Sequence, residues 1–191
     1  MNERLGREYF EGLYAESEDP WNFEASEYER NKYARTLGAL GDRTFRRALE
    51  AGASIGVFTQ MLADRCEELL AVDVSERAVA VAQRCLSGRG NVRVERRTLP
   101  EQMPSGPFDL IVASEVLYYF PREEMLTVLR GFERELARGG ILLAVHWRRK
   151  TETYPLQGDE AHELLVEHTR LENRETIIEP NYRLDVFEDE T

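Results

Sequence analysis

From about residue 46 the chain alternates short apolar runs with amphipathic stretches, and this alternation constrains the fold more than any other feature. The runs fall at residues 48–51, 69–72, 92–94, 108–113 and 141–145. Between them lie helical candidates at 56–64, 76–86 and 123–136, the last followed by Arg138-Gly139-Gly140 as a helix stop. Strands that alternate with helices form a parallel sheet covered on both faces. After residue 150 the order changes. Residues 159–169 read as a helix, then 172–178 and 183–187 as two strands separated only by a turn at Glu179-Pro180-Asn181. So short a loop cannot join parallel strands, so this pair must be an antiparallel hairpin closing one edge of the sheet.

Residues 1–40 read differently, as mostly helical and rich in aromatics: Tyr9, Phe10, Tyr14, Trp21, Phe23, Tyr28 and Tyr33. Asp19-Pro20 breaks this arm, because the proline ring pushes its predecessor out of helical space. Ser26 is a plausible N-cap for a second helix that sets Tyr28, Lys32 and Arg35 along one side.

A length of 191 residues and 42% hydrophobic content suit one domain with a real core. We read residues 1–40 as a helical lid, 46–148 as the ligand-binding core and 149–191 as the closing helix and hairpin. With 36 acids against 25 bases the net charge is -11, which argues against polyanionic partners, so neither nucleic acid nor an anionic membrane is expected. Cys66 and Cys85 make neither a disulfide framework nor a metal-ligand spacing, and with three histidines no metal site is expected. Residues 1–4 lack a signal-peptide pattern, and no apolar run approaches the ~20 residues that span a bilayer. The expectation is a cytoplasmic globular protein, a monomer or weak dimer.

The loop after the first run, Glu50-Ala51-Gly52-Ala53-Ser54-Ile55-Gly56, opens a helix. Glycine there lets a ligand approach the backbone, and the helix start offers unpaired amides. The dinucleotide fingerprint G-x-G-x-x-G fails twice, at Ser54 and at Val57. The methyltransferase pattern E-x-G-x-G-x-G fails only at Ser54. The next run ends in Asp73, roughly 20 residues beyond Gly52, where a carboxylate can accept from both hydroxyls of a ribose. Two readings stay open for each acid: Glu50 meets the cationic end of a sulfonium amino acid or is an ordinary helix-start acid, and Asp73 holds a ribose or simply caps the helix after it.

Parallel strands followed by an antiparallel hairpin are the layout of class I methyltransferases. Beyond that layout, the chain resembles the nodulation protein S (NodS) family over nearly its whole length. The resemblance rests on Asp19-Pro20-Trp21, Ser26-Glu27-Tyr28-Glu29 with Lys32-Tyr33, and Phe108-Asp109-Leu110-Ile111-Val112. It continues through Ser114-Glu115-Val116-Leu117-Tyr118-Tyr119, His146-Trp147-Arg148, Tyr154-Pro155-Leu156-Gln157-Gly158-Asp159-Glu160 and Leu184-Asp185-Val186-Phe187. It implies an α/β Rossmann-like fold, a seven-stranded sheet of order 3-2-1-4-5-7-6 with the last strand antiparallel. It also implies transfer of a methyl group from S-adenosylmethionine, leaving S-adenosylhomocysteine, to an amine such as that of a deacetylated glucosamine in a chitin-type oligosaccharide. Many relatives carry an acid near the end of the third strand for the adenine amine, whereas this chain reads Arg96-Arg97-Thr98-Leu99.

On this reading the donor is held by Trp21, Arg30, Lys32, Glu50, Gly52, Ala53, Gly56, Asp73, Val74, Thr98, Leu99 and Ser114. Thr98 or a main-chain group replaces the acid at adenine, and Arg30, Lys32 or Arg35 meets the donor carboxylate. The arm's aromatics either cover the sulfonium or form the apolar face of docked helices, two roles that are compatible. An acceptor ammonium has no lone pair and must lose a proton, for which Glu115 and His146 are the candidates, with Tyr118 able to hold the amine. Each has a plainer alternative: His146 bonding a neighbouring loop, Glu115 orienting substrate, Tyr118 packing the next helix. O-methylation, a dinucleotide oxidoreductase and a non-catalytic adenosyl-binding protein are the competing functions.

Overall fold

A computed structural model describes residues 3–190, so Met1 and Asn2 of the N-terminal reading lie outside the described residues. Two helices come first, α1 (Arg7–Glu16) and α2 (Glu27–Gly38). The alternating part runs β1 (Phe45–Ala51), α3 (Val57–Leu62), β2 (Cys66–Asp73), α4 (Glu76–Cys85), β3 (Val92–Arg96), β4 (Phe108–Ser114), α5 (Arg122–Glu135) and β5 (Leu136–Trp147). Helix α6 (Gly158–His168) and strands β6 (Glu172–Ile178) and β7 (Tyr182–Glu188) complete it. The seven strands form one sheet of order β3-β2-β1-β4-β5-β7-β6. Strands β1 to β5 pair in parallel, and β7 runs antiparallel to both β5 and β6, as the short turn required.

The period of two along each central strand sorts its side chains onto two cores. Leu49, Ala51, Ile111, Ala113, Leu142 and Ala144 face one side, against Ala78, Met125, Val128, Phe132 and Leu165 of α4, α5 and α6. Ala48, Leu110, Val112, Leu143 and Val145 face the other, against Tyr33, Phe58 and Leu62 of α2 and α3. Apolar residues are needed at every position when both faces are covered, which is why these strands read as continuous runs. Each fully buried leucine or phenylalanine contributes ~1.5–3 kcal/mol. Helix α2 begins where Ser26 accepts a hydrogen bond from the Glu29 amide at 3.2 Å. Its buried residues are Lys32, Tyr33 and Thr36, while Arg35, three residues beyond Lys32, is exposed.

The expected helix stop at Arg138-Gly139-Gly140 is not where α5 ends. Leu136 is already extended and paired with Phe108, and the next pair is Leu110 with Ile141. The glycines lie inside this irregular stretch, with Gly139 at φ +69° and Gly140 so tight that a Cβ would meet Leu136 Cγ at 2.8 Å. They let a strand bulge, not a helix stop. Strand β1 starts three residues ahead of its apolar run: Arg46 and Arg47 interrupt the pattern, but both their amides bond the Asp109 carboxylate. The register levels the carboxyl ends of the strands, pairing Ala51 with Val72 and Ala113, and Ser114 with Val145. Glu50, Asp73 and Ser114 therefore come to one rim.

Candidate active site

At that rim the strands and the N-terminal arm enclose a cleft of ≈ 330 Å³, within the range of small-molecule sites. Of the residues singled out in the sequence, Trp21, Lys32, Glu50, Gly52, Ala53 and Asp73 line it. So do Val74, Leu99, Ser114, Glu115 and Tyr118, whereas Arg30, Gly56, Thr98 and His146 do not.

The loop after β1 is shaped by three left-handed residues, Gly52 (φ +82°), Ser54 (φ +51°) and Gly56 (φ +87°). A Cβ on Gly52 would meet the Val116 Cβ at 3.0 Å and the Ser114 carbonyl oxygen at 3.2 Å, so only glycine fits against the loop after β4. Gly56 serves packing instead: its Cβ would strike Leu86 at 2.9 Å and Ala82 at 3.2 Å, so it lets the start of α3 close on α4. Ser54 adopts the left-handed conformation at a cost of ~1–2 kcal/mol for an L-residue. Two bonds offset that cost: its hydroxyl lies 2.5 Å from the Tyr14 hydroxyl, and its amide donates to Asp73 Oδ2 at 2.9 Å.

Asp73 is fixed from both sides, since Oδ1 accepts from the Ser75 amide at 2.9 Å. Burial at the base of the cleft raises its pKa, and the amides of Ser75, Ser54 and Val74 oppose that rise. Both oxygens keep a lone pair for hydroxyl donors. Glu50 is 1% exposed and its Oε2 has no hydrogen-bond partner among the described residues. Burial pushes its pKa up to about 8; the nearby Thr59 hydroxyl offsets this in part and the Asp73 charge adds to it. An orphaned buried acid beside a carboxylate that can take two hydroxyls fits an adenosyl donor with a cationic amino-acid end.

The third strand's end differs from expectation. Thr98 turns from the cleft and its amide donates to Gln102 Oε1 at 2.9 Å, while Arg97 and Leu99 line the space. Arg97 is held by Glu95 at 2.7 Å, and the Leu99 carbonyl accepts from the Arg4 guanidinium. In the arm, Trp21 meets Tyr14 edge-on at 5.7 Å and stacks on Phe23 at 5.6 Å. Phe10 and Tyr14 both line the cleft and belong to the core, so covering and packing are one role here.

Of the three cations expected at the donor carboxylate, Lys32 lines the cleft and Arg30 and Arg35 do not. Arg30 is exposed and bonds the Glu24 carbonyl at 3.2 Å, and Arg35 is exposed. Lys32 reaches the cleft, 3% exposed, with Nζ 2.7 Å from both Glu29 and Glu115. Burial alone would lower its pKa, but the two carboxylates more than reverse that, so it stays an ammonium. The pairing leaves the trio with one net negative charge.

Glu115, at φ +53°, points its carboxylate into this cluster. Oε1 accepts from Lys32, and Oε2 accepts from the Tyr118 hydroxyl and, at 2.8 Å, from the Trp147 amide. Burial and then the Glu115 charge raise the pKa of Tyr118, keeping its hydroxyl a donor. His146 has no route to a substrate. It is 0% exposed, its Nε2 accepts from the Leu117 amide at 3.1 Å, and its Nδ1 lies 3.0 Å from Nε2 of His162. Burial, then the neighbouring His162 ring and the Lys32 charge, push its pKa well below the ordinary histidine value. Its expected place as a proton acceptor is thus corrected: β5 turns His146 to the face under α6, away from the cleft.

The sequence pattern named Tyr14 only among the arm's aromatics and gave Glu29, Arg97 and His162 no role. Glu29 lies three residues before Lys32 on one helix, a spacing that would have paired them. Tyr14 and His162 make contacts between distant segments, which leave no local signal.

A family model for nodulation protein S (NodS) matches residues 12–148. The nodulation protein S of Rhizobium tropici is 32% identical over 129 residues, covering 66% of this chain and 54% of that protein. That of Bradyrhizobium diazoefficiens is 38% identical over 109 residues, 53% of this chain and 49% of that protein. The chain thus spans about half the length of the curated relatives it matches. Among solved structures, the N-methyltransferase NodS from Bradyrhizobium japonicum WM9 in complex with S-adenosyl-L-homocysteine superposes with a TM-score of 0.86. It is 25% identical, over 96% of this chain and 98% of that one. A candidate methyltransferase from Pseudomonas syringae gives 0.76 at 34% identity, over 85% and 99%.

Proposed function

The chain belongs to the nodulation protein S family, and from that premise we propose that it moves a methyl group from S-adenosylmethionine to a free amine of a small molecule, in the first instance a deacetylated amino sugar or its oligosaccharide. We assign the donor to the side of the cleft bounded by Gly52, Ala53, Asp73, Val74 and Leu99, and the acceptor to the side of Glu115 and Tyr118. One domain carries both, with residues 1–40 as cover, 46–148 as donor site and 149–191 closing the acceptor end.

When bound, the donor supplies a methyl group on a sulfonium, already activated for displacement. Asp73 takes the two ribose hydroxyls, and Glu50 meets the amino-acid ammonium, gaining the cation its buried carboxyl lacks. Phe10, Tyr14 and Trp21 exclude water and present ring faces to positive charge. The observation that carries the amine reading is the Glu115 carboxylate. It borders the cleft within a cluster of net charge minus one, and Tyr118 and Trp147 hold it in place. Such a cluster attracts an ammonium, orients it and accepts the proton it must shed. A neutral hydroxyl gains less from it.

The test is methyl transfer to glucosamine and its β-linked oligomers, against the N-acetylated forms and a plain alcohol. Transfer confined to free amines is expected. Glu115→Gln should lower kcat by roughly 10²–10⁴ while S-adenosylhomocysteine still binds. A better rate with an alcohol would assign O-methylation, and donor binding without transfer to any acceptor would leave an adenosyl-binding protein.

A further inference from the structure

Beneath the acceptor side, three polar side chains from three elements form a buried chain of hydrogen bonds: His146 on β5, His162 on α6 and Asp185 on β7. All three are 0% exposed. The Leu117 amide lies 3.1 Å from His146 Nε2, His146 Nδ1 lies 3.0 Å from His162 Nε2, and His162 Nδ1 lies 2.5 Å from Asp185 Oδ2. A main-chain N–H only donates, so His146 Nε2 offers a lone pair and its proton sits on Nδ1. That proton is given to His162 Nε2, which places the second proton on His162 Nδ1, donating to Asp185. The carboxylate, which only accepts, closes the chain without conflict. Asp185 is itself held by Arg183 Nε at 2.9 Å and by the Thr176 hydroxyl.

Apolar side chains of similar volume would fill this interface at less desolvation cost. What the chain holds in return is one amide, that of Leu117, in the 3₁₀ turn Leu117–Tyr119. Glu115 and Tyr118 flank that amide. The Tyr118 ring also rests edge-on against His146, with centroids 5.1 Å apart.

We propose that His162 and Asp185 are positioning residues for methyl transfer, which act through the His146 ring and the Leu117 amide to hold Glu115 and Tyr118 at the acceptor. The proposal rests on the acceptor reading of those two residues. Both rings stay neutral, since burial pushes each pKa down, and no proton moves along the chain. Its use is polarity: each member accepts on one side and donates on the other.

His162→Leu removes both bonds and frees the His146 ring. We expect kcat for the amine to fall at least tenfold while the Kd for S-adenosylhomocysteine stays within about twofold, because the donor side lies across the cleft. His162→Gln can accept from His146 through Oε1 and donate to Asp185 through Nε2, so it should recover most of kcat. Equal losses in both variants, or a loss seen only in donor affinity, would reduce the chain to packing and overturn the proposal. Nitrogen-15 imidazole spectra of the wild-type protein give a readout without turnover: His146 and His162 should both be Nδ1–H tautomers, and an Nε2–H form of either overturns the chain. If the wild-type protein transfers methyl to no amine, the functional reading falls and takes the positioning role with it. If it transfers methyl and His162→Leu does too at full rate, only the positioning role falls.

Discussion

Glu50 shows how one side chain can carry a ligand's signature before the ligand arrives. Its pKa in the folded protein is about 8 against an ordinary 4.5, so the folded state binds a proton the unfolded state has released. The stabilisation from that proton is complete below about pH 4.5 and is lost as pH rises towards 8. Without donor, urea unfolding between pH 5 and 8 should therefore show stability falling by up to about 1.4 kcal/mol per pH unit from this group. Glu50→Gln should flatten that part of the slope, and an unchanged slope would mean that the acid finds a partner the structure does not show. Asp73 and Glu50 were legible in the sequence because an acid ending an apolar run must sit at a strand's carboxyl end. His146 has the same local pattern and was misplaced for a definite reason. A run marks where a strand ends but not which face its last residue takes, and one step of register turns a side chain from cleft to core. Thr98 failed likewise: a loop position beside Leu99 does not say which neighbour turns inward.

Among the elements, the arm divides into unlike halves. Helix α1 packs Phe10 and Tyr14 into the core and is tied to the loop after β1 by the Tyr14–Ser54 hydroxyl pair, but its ion pairs, such as Arg7 with Glu76, are exposed. Helix α2 is anchored by the buried Lys32 ion pairs and by Thr36, which is 0% exposed. Elements held by exposed contacts open more readily than those held by buried ones. Hydrogen exchange with and without S-adenosylhomocysteine should thus show protection gained over α1 and the following residues 17–25, with Tyr33 and Thr36 protected in both states. Protection gained equally across residues 7–38 would mean that the arm moves as one body. The number and order of elements were legible because the two periodicities, 2 and 3.6, differ so plainly along the chain. Boundaries were not. The extra residues of β1 are two arginines whose amides find Asp109, sixty-odd positions away. Gly139-Gly140 serve a bulge set by Phe108 and Leu136, partners no local reading reveals.

At the scale of the whole molecule, a net charge of -11 surrounds a cleft whose Glu29–Lys32–Glu115 cluster holds two carboxylates against one ammonium. On the proposed function, a cationic amine would then be steered towards the protein and an anionic acceptor turned away. Raising salt from 20 to 300 mM should lower kcat/KM for an amino sugar several-fold, with little change in kcat, as screening shortens the reach of the field. A salt-independent kcat/KM would place the attraction in short contacts alone. The same carboxylates hold Lys32, and through Lys32 they pin the second helix of the arm to the loop after β4. If α1 opens while α2 stays pinned, the proposed methyltransferase would be a mould with one fixed wall and one hinged wall. Acceptors would then be sorted against a surface that keeps its form from one turnover to the next, while only the donor's seat would be taken apart and rebuilt.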